Sequence, residues 1–233
     1  MSGFGHELDE IKASYDRRKS IGSGRYDRLR PDVLMHVHER QRKLSLLLNR
    51  YSPVPLSELD VLEIGCGTGS NLLELIELGA DPARLAGNDL LPDRLAEARR
   101  RLPSAVALRE GDATALPYRS GSFHVVYQST VFSSILSTPM RQALASAMWS
   151  WVRPGGGVLW YDFTYDNPAN RDVHGISAKE ITVLFPKAKI QRYRVTLAPP
   201  LARFLVRIHP AICTATNQFP FLRTHLLCWI GKT

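Results

Sequence analysis

Apolar positions change period repeatedly along this chain, and the changes predict helices and strands in alternation. Val61–Ile64 is a short, largely apolar run of the kind buried inside a parallel sheet. Helical spacing follows at residues 71–78, just after three spaced glycines. Residues 84–89 read as a second strand, Pro92 opens a helix through Arg101, and residues 105–109 read as a short third strand. Residues 122–130 and 158–163 complete the strand series, with a helix over 140–151 between them. Further on, Ser177-Ala-Lys-Glu180 is a capping box that opens a short helix through Leu184. Residues 189–197 and 224–230 alternate as strands do. Between them, Pro199 to Ile208 is amphipathic, with Leu201, Phe204, Leu205 and Ile208 together and Arg203 and Arg207 elsewhere. Ahead of the first strand, residues 5–20 and 31–50 read as helices. Pro31 suits a first turn, and Val33, Leu34, Val37, Leu44, Leu47 and Leu48 form an apolar stripe.

At 233 residues the chain is long enough for one sizeable α/β domain with a full core. Cys66, Cys213 and Cys228 form no even framework and no C-x-x-C, so reduced thiols and a cytoplasmic location are expected. No apolar run approaches the roughly 18–20 residues of a membrane span, and the N-terminus lacks an apolar signal core. The charge is uneven. Of a net +8, the segment 163–233 supplies ten Lys and Arg against three Asp and Glu. Such a patch attracts nucleic acid, anionic lipid or acidic substrates, but no interleaved aromatic-basic module accompanies it, so a solvated basic face is the expectation.

The chemistry gathers at the end of the first strand. Gly65, Gly67 and Gly69 make a turn tight enough for backbone to approach a ligand, and a helix N-terminus follows with unpaired N–H groups. A dinucleotide fingerprint needs glycine or alanine where Ser70 stands. Glu63, two residues before the first glycine, would repel a pyrophosphate but suits a ligand with a cationic end. Asp89 ends the second strand, where a carboxylate accepts from two ribose hydroxyls.

The spacing Glu63-x-Gly65-x-Gly67-x-Gly69 resembles the first motif of class I S-adenosylmethionine-dependent methyltransferases. Glu110-Gly111-Asp112-Ala113-Thr114-Ala115-Leu116-Pro117 is similar to the family's G-D-A-x-x-L-P segment, and Val152-Arg-Pro154-Gly155-Gly156-Gly157 to the turn before its fifth strand. Phe123-His124 departs from the usual Phe-Asp at the start of the fourth strand, and His124 is expected to pair with a neighbour. The resemblance covers residues 58–163. It implies a doubly wound, mostly parallel seven-stranded sheet with an antiparallel final strand. It also implies an N-terminal helical lid, here residues 1–52, over a Rossmann-like domain at 53–233. The cofactor implied is S-adenosylmethionine, with S-adenosylhomocysteine as product. Its contacts fall on Glu63, Gly65, Cys66, Gly67, Asn71, Asp89, Leu90, Asp112, Ala113 and Gln128.

The lid places Tyr15, Arg17, Arg18, Arg25 and Tyr26 as candidates for the acceptor pocket. The segment after the fifth strand adds Tyr165, Asn167 and Asn170, with His174 the candidate general base. The amphipathic stretch at Pro199 to Ile208 is expected to pack on the sheet; the alternatives are a cap over that pocket or contact with a membrane surface. No metal is expected, because Gln128-Ser129-Thr130 lacks the acid that metal-dependent members carry there. The expected acceptor is a small molecule or a glycan, methylated at a hydroxyl oxygen, with an amine or an indole-like carbon as the alternative. A nicotinamide-dependent oxidoreductase is the rival class, and it lacks a proton-relay motif. No N/D-P-P-Y/F follows the fourth strand, so no nucleic-acid partner is expected. Nor is stable membrane association, while a homodimer stays open.

Overall fold

In the computed structural model, residues 3–19, 27–166 and 170–233 are described. Seven strands form one sheet: β1 Val61–Ile64, β2 Leu85–Asp89, β3 Ala107–Glu110, β4 Phe123–Ser129, β5 Val152–Phe163, β6 Lys189–Leu197 and β7 Arg223–Gly231. The order across the sheet is β3-β2-β1-β4-β5-β7-β6. The pairs from β3 to β5 are parallel, and β7 runs antiparallel to both β5 and β6. The reversal in strand order between β1 and β4 leaves a crevice at their carboxyl ends, the usual ligand position in open α/β sheets.

Helices cover both faces. α1 Gly5–Lys19, α2 Pro31–Tyr51, α3 Ser70–Glu77 and α4 Pro92–Arg101 precede β3, α5 Thr138–Trp151 links β4 to β5, and α6 Ala178–Leu184 follows β5. α7 Pro199–Ile208 and α8 Pro210–Thr216 sit between β6 and β7. One core lies under α2, α3 and α4, including Leu44, Leu47, Leu72, Leu95, Tyr127, Leu159 and Trp229. The other lies under α5 and α6 and includes Val126, Phe132, Met148, Trp160, Ile181 and Phe185. β1 is buried at every position because it lies between β2 and β4 with helices above and below. No helix among the described residues is long and apolar enough to cross a membrane.

The structure departs from the hydrophobic pattern in four places. β5 begins at Val152, not Val158: the register shifts between Phe123 and Val125, and the glycine run is absorbed as a bulge beside His124. The first half of α2 buries Asp32 and Glu39 while Leu34 stays exposed, so the helix meets a polar surface there. On α7, Leu201 and Leu205 pack with Ala202, Cys213, Met35 and Leu222, yet Phe204 and Ile208 face outward, against the expected packing. α8 was not expected, its seven residues being too few to show a period.

Candidate active site

Glu63 is the third residue of a strand with no exposed surface, where an isolated carboxylate is costly. Asn71, in the first turn of α3, donates from Nδ2 to its Oε1 at 2.6 Å. Its Oε2 is buried without a partner. Burial pushes the Glu63 carboxyl up to about 8, while the Asn71 hydrogen bond and the charge of Arg40 pull it back. A cationic ligand group beside Oε2 would restore the charged form.

The glycine loop is shaped by contacts that only glycine permits. Gly65 has φ 65°, and a Cβ there would meet Val131 Cγ2 at 2.5 Å. Gly67 has φ 57°, and a Cβ there would meet nothing closer than the Arg94 guanidinium at 3.6 Å, so this side is open to a ligand. Cys66 is a buried filler whose backbone N–H donates to Asn88 O at 2.8 Å, and burial raises its thiol well above the usual range. Asp89 is buried, and both its oxygens accept from backbone: Oδ2 from Gly67 N at 2.7 Å, Oδ1 from Leu91 N at 2.9 Å. Each oxygen keeps a further lone pair. Leu90 is partly exposed beside it. Asp112 accepts from Thr114 N at 2.8 Å and Thr114 Oγ1 at 2.6 Å, opening a short turn that carries Ala113.

Three residues that the sequence reading did not assign hold this half together. Asn88 donates to Arg109 O and Gly111 O, at 3.2 and 3.0 Å, fixing the loop that presents Asp112. Arg101 on α4 donates to Thr68 O, Thr68 Oγ1 and Ser70 Oγ, pinning the glycine loop from outside. Arg40 on α2 pairs with Glu74 at 2.8 Å, lies 5.4 Å from the centre of the Tyr161 ring, and has its guanidinium pKa raised further. Its signal was present in the sequence: it occupies a helical stripe position between Val37 and Leu44.

At the ends of β4 and β5 the side chains are mostly committed to the protein. Gln128 is fully buried; its Oε1 accepts from Val131 N at 3.1 Å and its Nε2 donates to Tyr161 O at 3.4 Å. Thr130 has φ 57°, an uncommon conformation for a β-branched residue, and donates from N to Tyr161 O at 2.8 Å. His124 pairs with Asp60 and Arg153 at the opposite end of β4, consistent with a structural role.

The segment after β5 folds back on itself. Ile176 N donates to Phe163 O at 2.8 Å, and Gly175 N to Asp166 Oδ1 at 2.8 Å. Asp166 Oδ1 also lies 2.9 Å from His174 Nδ1, and these bonds hold its carboxyl below the ordinary range, the Gly175 amide contributing most. His174 N donates to Ser133 O at 2.8 Å, tying the segment to the turn after β4, and Nε2 is 3.9 Å from Glu180 Oε2. Asn170 Oδ1 accepts from Asp172 N, and the Tyr165 hydroxyl accepts from Arg194.

α1 bridges the two halves. Tyr15 lies with its ring centre 4.9 Å from the Arg94 guanidinium, above the glycine loop. Arg17 reaches Asp172 with two bonds, Nη2 to Oδ1 at 2.6 Å and Nε to Oδ2 at 3.3 Å. Arg25, Tyr26 and Asn167 lie outside the described residues, as does the side chain of Arg18. Among the described residues no cluster of three or more His, Cys, Asp and Glu is placed to hold a metal ion.

Residues 61–156 match the model of a family described as a methyltransferase domain. A demethylmenaquinone methyltransferase of Beutenbergia cavernae is 33% identical over 104 residues, which are 45% of this chain and 40% of that one. The chain thus spans well under half the length of this curated relative. The methyltransferase partner in a Haloferax volcanii complex with the Trm112 activator superposes with TM-score 0.65 at 17% identity, covering 96% of this chain and 98% of that one. Haemonchus contortus phosphoethanolamine N-methyltransferase 2, in complex with S-adenosyl-L-methionine, gives TM-score 0.59 at 17% identity over 82% of this chain and 53% of that one.

Proposed function

We propose that this chain, whose residues 61–156 match a methyltransferase-domain family, is a class I S-adenosylmethionine-dependent methyltransferase that methylates a small-molecule or glycosyl acceptor at a hydroxyl oxygen. The observation that carries the reading is Glu63: a buried carboxylate at a strand tip with one oxygen held by Asn71 and the other unpartnered beside an open glycine loop. These residues fit S-adenosylmethionine, which supplies a methyl on a sulfonium that leaves as the neutral thioether S-adenosylhomocysteine.

Glu63 would take the cofactor's ammonium group, and Asp89 the ribose hydroxyls with the lone pairs its two backbone bonds leave free. Leu90 would pack on the adenine face, and Asp112 with the Ala113 N–H would read its edge. Gln128 would act from below by fixing the backbone of residues 129–131. The lid of residues 1–52 would close the site from above through Tyr15 and Arg17, with Tyr165 and Asn170 lining the acceptor side.

His174 is proposed as the base. Asp166 beside Nδ1 favours the tautomer with its proton there, so Nε2 is the nitrogen free to accept. It would take the proton of the acceptor hydroxyl as the new C–O bond forms and the C–S bond breaks, while the lid excludes water and aligns the two in line.

The test is calorimetry with S-adenosylmethionine, S-adenosylhomocysteine and NADH, followed by transfer of labelled methyl to extracts and fractionation of the labelled product. Saturable binding of the first two and an alkali-stable, ether-linked label are expected. Binding of NADH alone would overturn the cofactor assignment, and label on nitrogen or carbon would overturn the hydroxyl.

A further inference from the structure

The last 53 residues, 181–233, contain eight Lys and Arg and not one Asp or Glu. Among the described residues, the insertion of α7, α8 and the turn after them carries a cluster of large apolar side chains left in solvent. Phe204 is 61% exposed, Ile208 57%, Phe219 52% and Phe221 73%. Phe204 and Ile208 stand one turn apart on α7, with Arg203 and Arg207 one position before each, so an apolar stripe runs beside a basic one. Phe219 and Phe221 follow α8 with ring centres 5.8 Å apart. The inward side of α7 is already used, through Ala202 and Leu205 against Met35 on α2.

We propose that the outer face of the α7–α8 insertion docks reversibly on an anionic lipid surface. A second copy of the chain would meet this face with like charge, whereas acidic headgroups complement the arginines and the acyl boundary takes the phenylalanines and isoleucine. α7 rests on the first half of α2, whose buried face reaches the ends of β6 and β7 through Glu39. Docking would therefore bring the acceptor side of the crevice towards the bilayer. The inference concerns a surface and does not depend on which atom is methylated.

The experiment is vesicle flotation of the whole chain, with phosphatidylcholine alone and with phosphatidylcholine plus phosphatidylglycerol. Binding should rise at least about tenfold with the anionic lipid and fall with added salt. Arg203→Gln with Arg207→Gln should weaken it by about 10–30-fold, and Phe204→Ser with Ile208→Ser by at least about tenfold. Both double variants should keep the wild-type melting temperature, since none of the four side chains is buried. Equal binding to the two vesicle types, no flotation, or variants that float like the parent would overturn the proposal. So would a doubled mass in sedimentation that the Phe204→Ser, Ile208→Ser variant abolishes, or retention on duplex DNA in place of vesicles.

Discussion

Around β1, β2 and β3, each functional side chain is held by partners from the same half of the sheet, within 22 residues of it. Asn71 fixes Glu63 from eight residues away, Gly67 and Leu91 fix Asp89, and Thr114 fixes Asp112. Over β4 to β7 the ties are long. Arg17 and Asp172 are 155 residues apart, Glu7 and Ser137 130, and Glu39 and Thr196 157. The first half is a set of nearly self-contained turns that any chain folding this sheet can build. The second is completed by contacts from the N-terminal helices. This contrast predicts that damage to the first half reads out in cofactor binding, and damage to the second in the acceptor, the rate or the stability.

The largest expected effect comes from His174→Ala, which should lower the maximal rate at saturating acceptor by about 10²–10⁴-fold with S-adenosylmethionine affinity nearly unchanged. A rise in the acceptor KM alone would make His174 a binding residue. Next, Arg40→Met removes a cation that spans the two halves, between buried Glu74 on α3 and the Tyr161 ring on β5. Urea unfolding should register about 3–5 kcal/mol of lost stability, and Glu74→Leu added to it should recover part. A loss below about 1 kcal/mol would place the pair with ordinary surface contacts.

Asp89→Ala should cost about 1–3 kcal/mol in affinity for both S-adenosylmethionine and its product, read by calorimetry, and leave acceptor KM unaltered at saturating cofactor. An effect confined to the acceptor would erase the contrast between the halves.

Glu63 gives a gentler test. Burial raises its carboxyl to about 8 in the free protein, and the ionised form is the one that takes an ammonium group. Binding should therefore release a proton, and affinity should weaken as pH falls below about 8, by up to about tenfold per unit. Glu63→Gln should flatten that dependence; a flat wild-type profile would remove Glu63 from the contact. The smallest effect belongs to Arg17→Ala, whose pair with Asp172 is exposed: the melting temperature should hold while acceptor KM rises, and an unchanged KM would detach α1 from the site.

The same contrast explains what could be read in the sequence. The glycine turn was legible because its conformation needs residues without a side chain at fixed spacing. Asp89 and Asp112 were singled out for a nucleoside ligand, by strand-end position and by resemblance, and the backbone bonds they make were not foreseen. Asn88 and Arg101 were not legible, since their partners are backbone carbonyls and a threonine hydroxyl brought close only by the fold. The start of β5 was hidden because Pro154 to Gly157 has the composition of a turn, yet a bulge lets it continue the strand. Leu34 and Phe204 mislead for another reason. Periodicity gives a helix an apolar face without saying which neighbour meets it, and both side chains ended outside.

One closure in the second half matters for anyone wishing to remodel the protein. Phe163 and Ile176 are joined by a backbone bond at the base of residues 164–175, so the two ends of that segment sit side by side on the scaffold. A cassette with such adjacent ends can be lengthened cheaply, each doubling costing only about 0.6 kcal/mol in closure entropy. Libraries that randomise 167–171 while retaining Asp166, Asp172, His174 and Gly175 would vary what the crevice accepts and leave the sheet, the glycine turn and Asp89 as an unaltered chassis.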